Sequence, residues 1–430
     1  MTEESSRIKK IHAREILDSR GNPTVEAEVT LQSGDTGRAS VPSGASTGKW
    51  EAIELRDKNK KRFNGKGVLE AVKNINEIIS KALVGKDALD QEQIDETMIN
   101  LDGTEQKSRL GGNAILAVSL ATAKAAAAYM RIPLYRYLNE KENYVMPVPL
   151  MNIINGGKHA GNELAIQEFK IIPYGADSFP EALRQGVETY QKLKELLREN
   201  YGPSAINVGD EGGFAPPMKS TKEALNMLLK AIEAAGYTEK EIALGLDAAA
   251  SSFYNEKDKT YLIDGKKLSG GDLIEYYSSI IEEFPLVSIE DPFQEEDYEN
   301  FTEFTKRFGS RLQIIGDDIF VTNTKKLEFG IERGIANALL FKVNQIGTLT
   351  EAFRTMELAF SKNYRVVVSH RSGETEDDYI ADIAVGKCTG EIKTGAPCRG
   401  ERTVKYNRLI RINEELGENA KYIGKKLFKT

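Results

Sequence analysis

The sequence predicts an α/β protein in which a smaller α+β domain precedes a β/α barrel. Three observations point there. Beyond residue 147, short apolar runs recur, each closed by a polar or charged residue. They are Ile242 to Asp247, Leu286 to Glu290, Leu312 to Asp317, Ala338 to Lys342, Tyr364 to His370 and Glu391 to Lys393. Their closing residues stand 23 to 43 positions apart, about the length of chain that a strand, a loop and a helix consume. The first 45 residues instead alternate turns with strand-like runs, and a helical period follows them. A chain of 430 residues exceeds the usual single domain, so two are expected, over 1–146 and 147–430.

The run up to Leu17 stops at Asp18-Ser-Arg-Gly-Asn-Pro23, a turn composition. Thr24 to Leu31 alternates with period two, Gln32 to Gly37 turns the chain again, and Arg38 to Val41 follows. This reads as a three-stranded antiparallel meander. From Gly67 to about Leu138 the period is helical, with Val68, Val72, Ile75, Ile79 and Leu83 on one face. Strands followed by segregated helices make an α+β domain, and Pro147-Val-Pro149 marks its boundary. Ala114 to Met130 is the most apolar long stretch, but it is alanine-rich and carries Ser119, Thr122 and Lys124. It reads as a buried helix and not as a membrane span.

In a β/α barrel the C-terminal strand ends converge on one mouth, where the chemistry sits. An open doubly wound sheet is the alternative. It fits less well, because such sheets place ligands at one switch point and not at six strand ends.

Composition narrows the function. The chain has 58 basic against 65 acidic residues, a net charge of −7, and no basic excess to displace counterions from nucleic acid. A hydrophobic fraction of 40% and a charged fraction of 29% describe a soluble globular protein. The first residues hold no apolar signal core, so a cytoplasmic location is expected. Two cysteines, Cys388 and Cys398, exclude a disulfide scaffold and a Cys-rich zinc site. With only three histidines, a metal site must rest mostly on oxygen ligands, which favours magnesium, manganese or calcium.

Asp247, Glu290 and Asp317 close three successive runs, and a hard divalent cation wants carboxylates fixed in that way. Each alone reads more readily as a turn acid or helix cap. Three in register, followed by Lys342, His370 and Lys393 at matching positions, reverse that balance. Lys342, beside metal ions and a second lysine, is expected to have a lowered pKa and to serve as a base near neutral pH. A snorkelling lysine is its bland reading. Two segments before the repeats add His159, Gln167 and Glu168 near strand ends, and a glycine-rich turn, Val208 to Pro217, presents Asp210 and Glu211. Glu168 and Glu211 form a candidate acid pair in which mutual repulsion raises one pKa. Ser43-Gly-Ala-Ser-Thr-Gly-Lys49 is one residue short of the NTPase phosphate-loop spacing, and Trp50 stands where Ser or Thr belongs, so an NTPase is rejected.

These residues also carry a resemblance. Leu17 to Glu26, Val41 to Gly48, Met151 to Gly157, Gly209 to Gly213, Ser288 to Pro292, Gly316 to Asp318 and Ser369 to Asp377 resemble the enolase family over essentially the whole chain. The resemblance implies a barrel opening with two strands and two helices before regular β/α units. It implies reversible dehydration of 2-phospho-D-glycerate to phosphoenolpyruvate with two Mg2+ ions. Asp247, Glu290 and Asp317 would hold the first metal, Lys342 would remove the α-proton, and Glu211 would be the general acid. Glu168, Gln167 and His159 would support the substrate, Arg371 and Ser372 would hold its phosphate, and His370 and Lys393 would line its site. Ser46, on a loop, would close over the second metal. The resemblance further implies a homodimer or an assembly of dimers. Trp50 departs from the histidine, tyrosine or arginine of many members, and Gly400 from the usual serine or threonine.

Two other readings compete. A superfamily member acting on a carboxylate without phosphate is disfavoured by Arg371, Ser372 and the Ser46 loop. A non-catalytic binding or structural protein on the same scaffold, at a cell surface or in an RNA-processing assembly, is disfavoured because every expected catalytic position is filled; a secondary cell-surface or secreted role stays compatible with the enzyme.

Overall fold

The structure, a computed structural model, describes residues 5–44, 48–139, 143–157 and 160–428. Ile8–Leu17, Pro23–Leu31 and Thr36–Ser40 form the expected antiparallel meander, with Ala13 opposite Ala27 and Ala27 opposite Ala39. The turn that joins the first two strands is closed by Asp18, whose Oδ1 accepts from the backbone N–H groups of Arg20 and Asn22.

The alanine-rich stretch is a buried helix, Gly112–Tyr129. It lies against the sheet so closely that a Cβ on Gly37 would stand 2.2 Å from the carbonyl oxygen of Ala121. Small side chains on the helix and none at Gly37 permit that approach. Ile75, Ile79 and Leu83 are fully buried on a second helical run, Leu69–Asn74, Ile75–Ile79 and Ser80–Leu83, whose middle is a single π-turn, and Val68 is buried just before its start. No helix among the described residues is long and apolar enough to cross a membrane.

The second half is a barrel of the expected ββαα(βα)6 type. Met151–Asn155 pairs antiparallel with Glu168–Ile172, which pairs antiparallel with Ala243–Asp247. Leu286–Glu290, Gln313–Gly316, Ala338–Phe341, Arg365–Ser369 and Gly390–Lys393 then follow in parallel register. Val148–Pro149, just before the first strand, pairs with Gly390–Lys393 and closes the ring. Two helices, Phe179–Tyr201 and Thr221–Ala234, precede the six regular units. The longest spacing, between Asp247 and Glu290, is explained by an inserted three-stranded sheet over Tyr254–Asn255, Thr260–Ile263 and Lys266–Leu268. The helices start on side-chain caps at Ser178, Ser220, Ser269, Asp297, Asn323 and Thr348, which satisfy N–H groups the helix leaves open.

In most of the barrel strands, alternate residues divide the core in two. Val148, Leu150, Ile172, Ala243, Val287, Ile315, Ala338, Leu340 and Val367 form one cluster, while Phe169, Ile171, Leu339, Phe341, Val366 and Val368 belong to the other, larger one. The first cluster fills the barrel and the second packs the helices against it.

Candidate active site

The inward columns of the barrel place the site. Ala338 and Leu340 lead to Lys342, Gln313 and Ile315 to Asp317, Val367 to Ser369, Glu391 to Lys393, and Ala243 to Asp247. A strand of period two carries one column of side chains straight to the mouth. Glu168–Ile172 runs the opposite way, so its first residue reaches the same end, with Glu168 in register with Asp247. Lys170 lies between Glu168 and Ile172 in that inward column.

A narrow cleft opens there, lined by Gln167, Glu168, Glu211, Asp247, Asp317 and Lys342 together with Ser369, His370, Arg371, Ser372 and Lys393. All but Ser369 are residues that the sequence singles out. Glu290 is fully buried in the same cluster. His159 and Ser46 lie outside the described residues. Glu211 is brought in by the glycine-rich turn, which is pinned to the mouth: Phe214 donates to Ile153 O (2.9 Å), and Asn155 donates to Phe214 O (2.8 Å). Gly212 has φ +84° and sits under the carbonyl of Cys398, so only glycine fits there.

Lys393 Nζ is the hub of the acidic group. It donates to Asp247 Oδ2 (3.0 Å) and to Glu290 Oε1 (2.7 Å), and lies 3.0 Å from Glu168 Oε2. Lys170 Nζ donates to Glu290 Oε2 at 2.5 Å and is 3.5 Å from Glu168 Oε2. Burial pushes Glu290 upward, yet Lys170, Lys393 and Lys342 more than offset it and hold its carboxyl below the ordinary range. Asp247 is raised by burial and by the Glu290 charge. Glu168 is raised well above the ordinary range, by burial first and with Glu211 adding repulsion, against the pull of Lys393. The expected rise of one member of that acid pair is therefore present, with desolvation as its main cause.

Glu168, Asp247 and Glu290 each bring one oxygen within 4.8 Å of the others, and Asp291, Asp317 and Asp318 form a second such group. Asp247 and Glu290 thus cluster most closely with Glu168, while Asp317 stands with its sequence neighbour and with Asp291. Asp291 uses its two oxygens to accept from Asp317 N (2.8 Å) and Asp318 N (2.9 Å). Burial and the Asp317 charge push Asp318 up to about 8. An all-oxygen donor set of this kind suits a hard divalent cation.

The protein's own groups do not by themselves supply the lowering expected of Lys342 beside metal ions. Lys342 is not shifted downward in this structure. Burial, Arg371 and Lys393 act to lower its pKa, but Asp317 Oδ2 accepts from Lys342 Nζ at 2.5 Å, and the net shift is upward. The paired carboxylate outweighs the neighbouring cations.

On the remaining side, Glu211 accepts from Asn152 Nδ2 (3.0 Å) and from Ser372 Oγ (3.0 Å). Burial lowers the His370 pKa to about 4, which keeps the ring neutral near pH 7. Arg371 Nη1 donates to Glu51 Oε2 (3.0 Å) and Asn344 Oδ1 (3.0 Å), so the N-terminal half supplies a partner to the mouth.

Sequence reasoning missed Lys170, Glu51, Asn152, Gln345 and Arg402. Only Lys170 left a signal: a charge inside Glu168-Phe-Lys-Ile-Ile172, a run otherwise apolar after its first residue.

Comparison with known proteins identifies the family. The family model "Enolase, N-terminal domain" matches residues 8–138, and "Enolase, C-terminal TIM barrel domain" matches residues 143–430. The chain is 60% identical over 423 residues to an enolase of Methanocaldococcus jannaschii, covering 98% of both chains. It is 60% identical over 417 residues to an enolase of Methanopyrus kandleri, covering 97% of both, and 59% identical over 420 residues to one of Thermococcus gammatolerans, again covering 97% of both. With both family domains and near-complete coverage of these relatives, the chain belongs to the enolase family.

Proposed function

We propose that the chain catalyses the reversible dehydration of 2-phospho-D-glycerate to phosphoenolpyruvate and water. The observation that supports this best is that Lys342, Glu211, Arg371 and Lys393 line a single cleft together with Asp247 and Asp317. Arg371 and Ser372 bind the phosphate, an anion suited to a guanidinium fork. Lys342 Nζ, as the free amine, takes the proton from the carbon beside the carboxylate. Arg371 and Lys393 favour that amine, and Asp317 opposes it. Glu211, as the carboxylic acid, gives its proton to the departing hydroxide, which leaves as water. Lys393 offsets the second negative charge that the substrate carboxylate gains when the proton is lost.

Asp247, Glu290 and Asp317 would hold one Mg2+, and Ser46 would approach a second. When bound, such ions supply electrostatic stabilisation of that charge. Gln167, Glu168, His159 and His370 complete the substrate site. A substrate without phosphate is the weaker reading, because Arg371 is buried at the cleft and oriented by two partners.

The chain divides at 146/147, acts in the cytoplasm and forms a homodimer or an assembly of dimers. Placement of the meander and its helices before the first barrel strand supports the division. Sedimentation of the purified protein tests the assembly, and fractionation of the source cells tests the location. For the activity, phosphoenolpyruvate absorbance should rise when 2-phosphoglycerate and Mg2+ are added and stop rising on EDTA. No rise with Mg2+ present would refute it.

A further inference from the structure

We propose that Arg402 is a positioning residue that holds His370 as its Nε2–H tautomer, directing one donor hydrogen from the ring into the cleft beside Glu211. Arg402 is fully buried, on helix Gly400–Leu416. Its Nη1 stands 2.6 Å from His370 Nδ1. A guanidinium offers only N–H donors, so Nδ1 must accept, and in the neutral ring the hydrogen sits on Nε2. That Nε2 is buried and has no hydrogen-bond partner among the described residues, while Glu211 Oε2 lies 3.6 Å away. It is a prepared donor facing the acid.

The same guanidinium reaches further. Nη1 also donates to Arg371 O (2.6 Å), and Nη2 donates to Ser372 O (2.7 Å) and Asp210 O (2.9 Å). One side chain therefore ties the turn carrying Glu211 to the segment carrying His370, Arg371 and Ser372. Gly395 makes room for the assembly: a Cβ there would lie 3.0 Å from Arg402 Cδ and 3.2 Å from His370 Cε1, at φ +79°. The ring nitrogen that would otherwise choose its own proton has the choice removed by a cation that cannot accept one.

The tautomer follows from this geometry alone. Its use in turnover rests on the proposed role of Glu211 as general acid, because the Nε2–H would share the departing oxygen with that carboxyl.

Because the chain has only three histidines, a two-bond 1H–15N correlation spectrum of the 15N-histidine-labelled full chain resolves them. H12Q and H159Q variants assign His370. Wild type should show the Nε2–H pattern for His370, and an Nδ1–H pattern there overturns the proposal whatever the variants do. R402M should let the Nδ1–H form appear and lower kcat by at least about 10-fold, the scale of one lost hydrogen bond, with KM little changed. R402K, which keeps a donor, should retain the tautomer. In R402A, added guanidinium chloride should restore both tautomer and turnover, a rescue that a merely structural role would not give. An unchanged Nε2–H pattern in folded R402M overturns the positioning role. A shifted tautomer with unchanged kcat overturns its service to the reaction, whereas failure of the Glu211 reading shows separately, as full activity in E211Q.

Discussion

Nζ of Lys342 donates to Oδ2 of Asp317 at 2.5 Å, and Asp317 Oδ1 is held by Gln345 Nε2 at 3.0 Å. The lysine proposed as the base is thus gripped by a carboxylate proposed to bind metal. A cation bound at Asp317 would compete with Lys342 for the same oxygen.

K342A is expected to lower kcat by at least about 10² to 10⁴-fold, the range for a general acid or base, and to leave the circular dichroism spectrum unchanged. Near-normal turnover in that variant would remove Lys342 from the role of base.

Glu290 shares its two oxygens between Lys170 and Lys393. E290Q leaves both buried ammonium groups short of a partner, so the metal-free protein should lose about 3 kcal/mol of stability and bind Mg2+ more weakly. K170M removes one fixed cation beside Glu290 and Glu168 and should tighten Mg2+ binding. Isothermal titration of the two variants reads both signs. Weaker Mg2+ binding in K170M would show that Lys170 supports the site and does not compete with the ion.

The barrel was legible because each inward column ends in a chemical residue, and the run of apolar residues before it fixes its strand. Asp247, Lys342 and Lys393 are found by that rule alone. Glu168 escapes it because its strand is reversed, so a residue that opens a run meets one that closes another. Arg402, Glu51 and Asn152 were not legible for a different reason. They reach the cleft from a helix, from the other half of the chain and from an opening strand, and no local spacing links them to His370, Arg371 or Glu211. The charge of Lys342 needed Asp317 at bonding distance, which sequence separation does not reveal.

Arg371 is buried against Glu51, whose Oε2 and Oε1 accept from it at 3.0 and 3.3 Å. E51Q removes the carboxylate that pairs most directly with that guanidinium and should cost about 3 kcal/mol in the absence of ligand. Inorganic phosphate should then raise the melting temperature of E51Q more than that of wild type, since an anion at Arg371 replaces the missing charge. Equal shifts in the two proteins would argue that phosphate does not bind Arg371.

Asp95, on helix Gln91–Asp102, joins the two halves away from the cleft: its Oδ2 accepts from Thr350 N (3.0 Å) and Thr350 Oγ1 (2.7 Å) at the start of helix Leu349–Ser361. Burial raises its pKa from 3.8 to about 6, and the hydrogen bonds from Thr350, Ser119 and Gln91 only partly oppose that rise. For an acid shifted upward, the stabilising contribution is complete below the unfolded pKa and is lost as pH rises through the folded one. At about 1.4 kcal/mol for each tenfold change in proton affinity, the loss amounts to about 3 kcal/mol. An asparagine side chain at this position would keep an acceptor for Thr350 and carry no charge. D95N should therefore gain stability relative to wild type as pH rises from about 4 to about 7.5, with most of the gain between the two pKa values. Denaturant unfolding of both proteins across that window measures the difference directly. A constant difference would mean that Asp95 ionises in the folded protein as readily as in the unfolded chain.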